Sequence, residues 1–391
     1  MIGGALRLAW RSIAHYRVRS LLLVLAFGLV FLLPLAVDRL VERLGDALGD
    51  RAAATPLVLG ARGSRFDLVL AALTFRGRVP RPLPLAEAEA LRATGRADAV
   101  PLVLGSSVGG APLVGTSPDY LERRGLRVAR GAPFVWLGEA VCGSAAAAAL
   151  GVDAGGTALT DRGSLYDLAS AAPLRLRIRG VLAETGTADD HAVFCGLETA
   201  WVAAGLAHGH VEAGEVDEDR RLSAAEEEGV VVLDASVAEA TEITPENRAS
   251  FHVHGDPSRR PVTAVLVWPD DAKARTILRG RYRVHDTVQL LVARDVADEL
   301  LGYVVRAKRF FDANAALVAA GTGLLLALVV LLTIRARRRE LDTLAKIGCG
   351  RGTIAATIGL EFGIVCLGGF ALALAGAAAV SALLAAGWGG A

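Results

Sequence analysis

Few residues in this 391-residue chain have the type and spacing to do chemistry. Two H-x-H pairs, His208/His210 and His252/His254, flank an acidic segment at 212–228. On a strand, each pair would point to one face and could share a zinc or copper ion. Exposed loop histidines are the plainer reading, so no metal is assigned. Cys142 and Cys195 lie in the polar middle of the chain, Cys349 and Cys366 near its end. The first two are either a disulfide, if that region faces an oxidising compartment, or two buried thiols. No G-x-x-x-x-G-K-[ST] loop is present, and GCGRGT at 348–353 lacks both the Lys and the spacing. H-E-x-x-H and G-x-S-x-G are absent as well. The chain carries no catalytic set, and it is not expected to hydrolyse ATP or bind a cofactor.

Leu341, Leu344, Ala345 and Ile347/Gly348 recur at helical spacing on one face, with Arg339, Asp342 and Lys346 elsewhere. Such a helix either docks its apolar face on a protein or lies on lipid beside the preceding arginines. Glu361 stands about 10 Å into an apolar block, at 1.5 Å of rise per residue. A carboxylate at that depth needs a partner. The expectation is structural pairing, with Arg351 as one candidate. Gly359 and Gly363 form a small-xxx-small pair, a motif that lets helices approach closely.

The elements that must position these residues are set by hydropathy. Apolar residues make up 53% of the chain while 21% are charged, which implies segregation into apolar ends and a polar middle. Three blocks reach the length of a membrane span, at 20–37, 315–334 and 354–384. Arg7, Arg11, Arg17 and Arg19 precede the first; Arg335, Arg337, Arg338 and Arg339 follow the second. This bias places residues 1–19 and 335–353 in the cytoplasm, and 38–314 and the 385–391 tail outside. A cleaved signal peptide is the rival reading of the first block, but its apolar run is long and no clear small-x-small site follows. The net charge of +1 gives no basic field for nucleic acid.

The outer segment is large enough for its own core. Short apolar runs at 56–59, 99–104, 174–178, 192–194, 229–233 and 262–267 read as strands. Residues 85–93, 144–150, 197–204 and 271–278 read as helices, giving a mixed α/β domain. The acidic segment 212–228 reads as a solvated loop. Helical spacing at 297–314 predicts a stalk leading into the second span. The expected fold is thus a membrane protein: a three-span α-helical bundle with a large α/β domain between spans 1 and 2.

The stretch RARRRELDTLAKIGCGRGTIAATIGLEFGIVCLGGF resembles the cytoplasmic loop and following span of FtsX/MacB-type permeases of ATP-binding cassette transporters. Arg338, Arg339, Glu340, Leu344, Ile347, Gly348 and Glu361 fall on that pattern. The opening LRLAWRSIAHYRVRSLLLV is similar to the basic amphipathic helix that begins such permeases. GSRFDLVLAALTFR, GEAVCGSAAAAALGV and RGVLAETGTADDHAVFCGLETAWVAAG resemble parts of their extracytoplasmic domain. The resemblance implies a homodimer in the inner membrane of a bacterium, working with a separate ATPase that binds ATP and Mg. Arg338 to Gly348, Leu341 included, would couple the two. It also implies four spans, where three are expected here. The other classes considered are a membrane-anchored sensor or ligand-binding protein, possibly metal-binding, and a tethered hydrolase. The first lacks a cytoplasmic output domain, the second a nucleophile motif.

Overall fold

The computed structural model describes residues 2–162, 172–209, 221–225, 230–233, 241–253, 256–346 and 348–387. The chain divides into two units. One comprises Met1–Asp46 with Leu301–Ala386, the other Ala47–Leu300 with Gly387–Ala391.

The first unit is helical. An N-terminal helix, Ile2–His15, is followed after Tyr16 by a first long helix, Arg17–Ala53. A second long helix covers Ala293–Ala336, a short helix Arg338–Lys346, and a third long helix Arg351–Gly387. All three long helices are long and apolar enough to cross a membrane. The first runs well past its apolar block because Leu40, Leu44, Leu48 and Ala52 keep a four-residue spacing through the polar sequence. The second is one unbroken helix through both the stalk and the apolar block.

Small residues let the first and third long helices meet. A Cβ at Gly369 would stand 3.0 Å from the Val24 carbonyl oxygen and 3.1 Å from the Gly28 nitrogen. Phe31 and Phe370 pack edge to face beside this point, with centroids 5.8 Å apart. The expected packing pair, Gly359 and Gly363, does not do this. A Cβ at either would meet nothing within 4 Å, and Gly359 instead lines an open groove of about 720 Å³ with Ala5, Gly352 and Ala356. Outside the apolar blocks, Lys308 reaches Asp38 at 2.6 Å and Asp312 at 2.7 Å, and Arg43 donates to the carbonyl of Ser381, near the end of the third block, at 2.7 Å.

The second unit is built on an eleven-stranded mixed sheet. Its main path runs Thr241–Glu242, Leu174–Leu182, Glu139–Cys142, Val193–Gly196, Ala111–Thr116, Ala97–Val108, Ala264–Pro269, Leu57–Ala61, Val288–Val292. Alternate residues point to opposite faces, and both faces are covered. Leu57 and Leu59 join one core with Leu91, Trp201 and Leu278, from helices Leu85–Arg92, Leu197–Ala203 and Ala272–Arg283. Val58 joins the other, with Leu68 and Leu73 of helix Arg65–Thr74. Leu48 and Ala52, and Ala293 and Val296, also lie in that second core. The last turns of the first long helix and the first turns of the second are therefore part of the sheet unit's packing. The strands Arg221–Ala225 and Val230–Leu233 pair with each other. Residues 221–225 belong to the segment expected to be a solvated loop; 212–220 and 226–228 lie outside the described residues.

Candidate functional site

Glu361 is the centre of a polar cluster in the helical unit, and it is only 2% exposed. Its Oε1 is paired with the Arg19 guanidinium of the first long helix. Its Oε2 accepts from Ser12 Oγ at 2.7 Å and lies 3.4 Å from Arg337 Nη1. Arg337 Nη2 donates to Ser12 Oγ at 2.8 Å, and Arg19 Nη1 donates to Thr333 Oγ1 at 3.3 Å. Both guanidiniums also stack on the Tyr16 ring, Arg337 at 4.2 Å and Arg19 at 5.0 Å from its centroid. One carboxylate thus joins the N-terminal helix, the first and third long helices, and Arg337, the residue just past the second. The described partners are Arg19, Arg337 and Ser12; the side chain of Arg351, one candidate partner, lies outside what the structure describes. Two cations against one carboxylate leave a net positive charge, suited to the end of a bundle and not its middle.

Tyr16 and Arg337 are the residues at which two helices break. Helical hydrogen bonds continue through both, from Tyr16 N to Ser12 O at 2.9 Å and from Leu341 N to Arg337 O at 3.0 Å. Each break is a single turn residue, without a loop. The short helix that follows Arg337 holds Arg338, Arg339, Glu340, Leu341 and Leu344. Gly348, just beyond it, has φ +95°, a left-handed conformation suited to ending a helix. Ile347 lies outside the described residues.

A second polar site lies in the sheet unit, and no sequence motif marks it. Arg51 is buried in the last turn of the first long helix. Its guanidinium pairs with both oxygens of Asp189, at 2.5 and 2.8 Å, and donates to Tyr120 Oη at 2.9 Å. Its Nε donates to the Leu73 carbonyl. Tyr120 Oη in turn donates to Asp189 Oδ1 at 2.5 Å. Burial pushes the Tyr120 phenol far above its ordinary range. Burial alone would raise Asp189 too, but hydrogen bonding and charge from Arg51 hold its carboxyl below the usual range. Phe75, over which Arg51 stacks at 5.1 Å, caps helix Arg65–Thr74 with φ +61°, a strained backbone for a bulky residue. The cap presents the Leu73 carbonyl region to Arg51. The one sequence signal was an Arg on the Leu44–Leu48–Ala52 face.

The remaining expected sites fare differently. Cys142 and Cys195 are buried free thiols, so the disulfide alternative is not realised. Their strands pair antiparallel with Cys142 opposite Val193 and Cys195 opposite Ala140. That diagonal puts the two residues about 7–8 Å apart, their β-carbons somewhat closer, against roughly 4 Å between the β-carbons of a disulfide. Burial pushes the Cys142 thiol up to about 12 and Cys195 higher still. His208 and His252 stand opposite one another in the ladder of Ala207–Gly209 with Phe251–Val253. His210 and His254 lie outside the described residues. Among the described residues no group of three or more metal-ligating side chains occurs.

Neither a family model nor a curated protein matches the sequence. Among solved structures, the chain is similar to the periplasmic region of MacB from Actinobacillus actinomycetemcomitans, with 11% identity and a TM-score of 0.36 over 65% of this chain and 97% of that one. It is also similar to the extracellular domain of the noncanonic ABC-type transporter YknZ from Gram-positive bacteria. There the identity is 12% and the TM-score 0.32, over 60% of this chain and 98% of that one. Likenesses of this degree carry no argument about function.

Proposed function

We propose that this chain is the membrane-spanning subunit of an ATP-driven transporter of the FtsX/MacB type, with ATP and Mg bound by a separate cytoplasmic ATPase. In this reading the three apolar helices cross the membrane with their basic ends in the cytoplasm, following the Arg bias. The sheet unit lies outside, and the permease works as a homodimer. The observation that carries the reading is the position of Arg337. It is the residue immediately before the short helix Arg338–Lys346, and it is bound into the Glu361 cluster.

A partner that pushes on the short helix moves Arg337 directly. Arg337 shares Glu361 with Arg19 and Ser12, so the displacement reaches the first and third long helices as well as its own. Packed, charged contacts of this kind have discrete arrangements and do not deform smoothly, which is what a two-state drive needs. The resemblance of 335–370 to the family's loop and span supports the same assignment. The test is co-expression with the cognate ATPase. Leu344→Asp on the apolar face of the short helix is expected to abolish co-purification while the permease still accumulates in the membrane. A variant that binds the ATPase and supports turnover like the parent would sink the assignment.

A further inference from the structure

A cleft of about 650 Å³ opens at the basic end of the first long helix. It is lined by Tyr16, by Arg17, Arg19, Leu22 and Leu23 of the first turns of the first long helix, and by Val329 of the second. The lining is mostly apolar and carries two arginines. Arg17 is exposed and has no ion-pair partner among the described residues. Arg19 spends its charge on Glu361, yet its Nε is buried without a hydrogen-bond acceptor among the described residues. An N–H in that condition costs free energy until something accepts from it.

We infer that this cleft is a binding site for one anionic phospholipid, with an acyl chain against Leu22, Leu23 and Val329 and the headgroup phosphate at Arg17. The inference rests on the apolar helices crossing a bilayer. It does not require the ATPase partner. A bilayer leaves an apolar cleft neither empty nor wet, so acyl chain is the material at hand to fill it. Charge complementarity selects the head. Basic clefts between spanning helices at the leaflet carrying the Arg excess are suited to anionic lipid, and the one carboxylate within the cluster, Glu361, is already engaged by two guanidiniums and a hydroxyl. Tyr16 lines the cleft and also bears the Arg337 and Arg19 stacks, so a bound lipid touches the residue on which the charge cluster rests.

The test uses the full chain reconstituted in nanodiscs of phosphatidylcholine with a minor fraction of phosphatidylglycerol. The lipid retained on extraction is counted by native mass spectrometry. The parent is expected to retain phosphatidylglycerol in preference to phosphatidylcholine. Arg17→Ala should weaken that retention about fivefold, the equivalent of one basic residue near an anionic surface. Leu22→Trp, which fills the cleft, should lower it as well. Arg11→Ala removes an exposed cation that does not line the cleft and should leave it unchanged. Equal retention of both lipids by the parent, or an equal loss in Arg11→Ala and Arg17→Ala, overturns the site. So does a Leu22→Cys chain that crosslinks efficiently to a second copy, since the cleft would then be an interface between copies.

Discussion

Arg337 stacks on Tyr16 at 4.2 Å, and each is the residue at which a helix breaks. The contact joins two helix junctions, and both are tied through Ser12 and Arg19 to Glu361. Tyr16 contributes a face and no charge, so it holds both guanidiniums without competing for the carboxylate.

Glu361→Ala should therefore be costly. It leaves the part-buried guanidiniums of Arg19 and Arg337 close together without the Glu361 charge; breaking a fully buried pair costs about 3–5 kcal/mol, and solvent screening makes the cost here smaller. Thermal melting of the detergent-solubilised chain is expected to drop by several degrees. Combining Glu361→Gln with Arg19→Gln and Arg337→Gln removes the unpaired charges, and most of the loss should be recovered. A single Glu361→Ala that melts with the parent means the cluster stabilises nothing.

Asp189 gives a pH dependence with a defined sign. Burial would raise its carboxyl, but Arg51 and Tyr120 hold it below the ordinary Asp range. A group whose folded pKa lies below its unfolded value stabilises the fold above the unfolded value, near pH 4. That stability is lost as pH falls through the folded pKa. Melting temperature should accordingly be insensitive to this group from neutral pH down to about pH 5 and fall below about pH 4. Asp189→Asn should lower stability at neutral pH by several kcal/mol, within the ~3–5 kcal/mol of a broken buried pair. It should also flatten the acid limb. An acid limb as steep in Asp189→Asn as in the parent would assign the pH dependence to other carboxylates.

What was legible in the sequence is what local pattern governs. Helix Ser144–Leu150 matches its expected span residue for residue, and Leu85–Arg92 and Leu197–Ala203 each end one residue early. These segments carry Ala and Leu at helical spacing between Gly, Pro and turn residues, and nothing in tertiary packing opposes them. Strands Ala111–Thr116 and Glu139–Cys142 were not anticipated. Pro112, Gly115 and Glu139 make them poor strands by local preference, and the sheet overrides it. Glu361 announced itself as a buried carboxylate, yet Ser12 is 349 positions away, and no spacing rule reaches that far. Arg51 was hidden for the opposite reason. In a chain full of exposed arginines, one more on a polar-looking stretch attracts no notice until a sheet closes over it.

The close approach at Gly369 sets a steric limit between the first and third long helices. A side chain there would meet the Val24 carbonyl oxygen at 3.0 Å and the Phe27 Cβ at 2.5 Å, and backbone cannot step aside as a flexible side chain can. Gly369→Val should force the helices apart and cost about 1–3 kcal/mol of overpacking. Gly363→Val, in the same helix and with open space around it, should cost far less. Paired melting curves of the two variants decide the matter. If Gly363→Val is the more damaging, the third helix packs through that face against something outside this chain.

The two buried thiols offer a readout of the sheet itself. Cys142 and Cys195 have no exposed surface, and burial keeps both thiols protonated far above neutral pH. Only the thiolate reacts readily with alkylating or disulfide-exchanging reagents. In the folded chain at pH 8, Cys349 should react within minutes with a maleimide, since it is partly exposed beside the short helix. Cys142 and Cys195 should stay unmodified until the sheet unit opens. Their labelling rate under increasing denaturant then reports opening of the central strands, independently of whatever the apolar helices do in detergent or lipid. Oxidants should fail to bridge the two, because the diagonal register holds the residues about 7–8 Å apart, too far for the roughly 4 Å between β-carbons that a disulfide needs. A disulfide between them recovered from the folded protein without denaturant would mean that strand Glu139–Cys142 has slipped against Val193–Gly196.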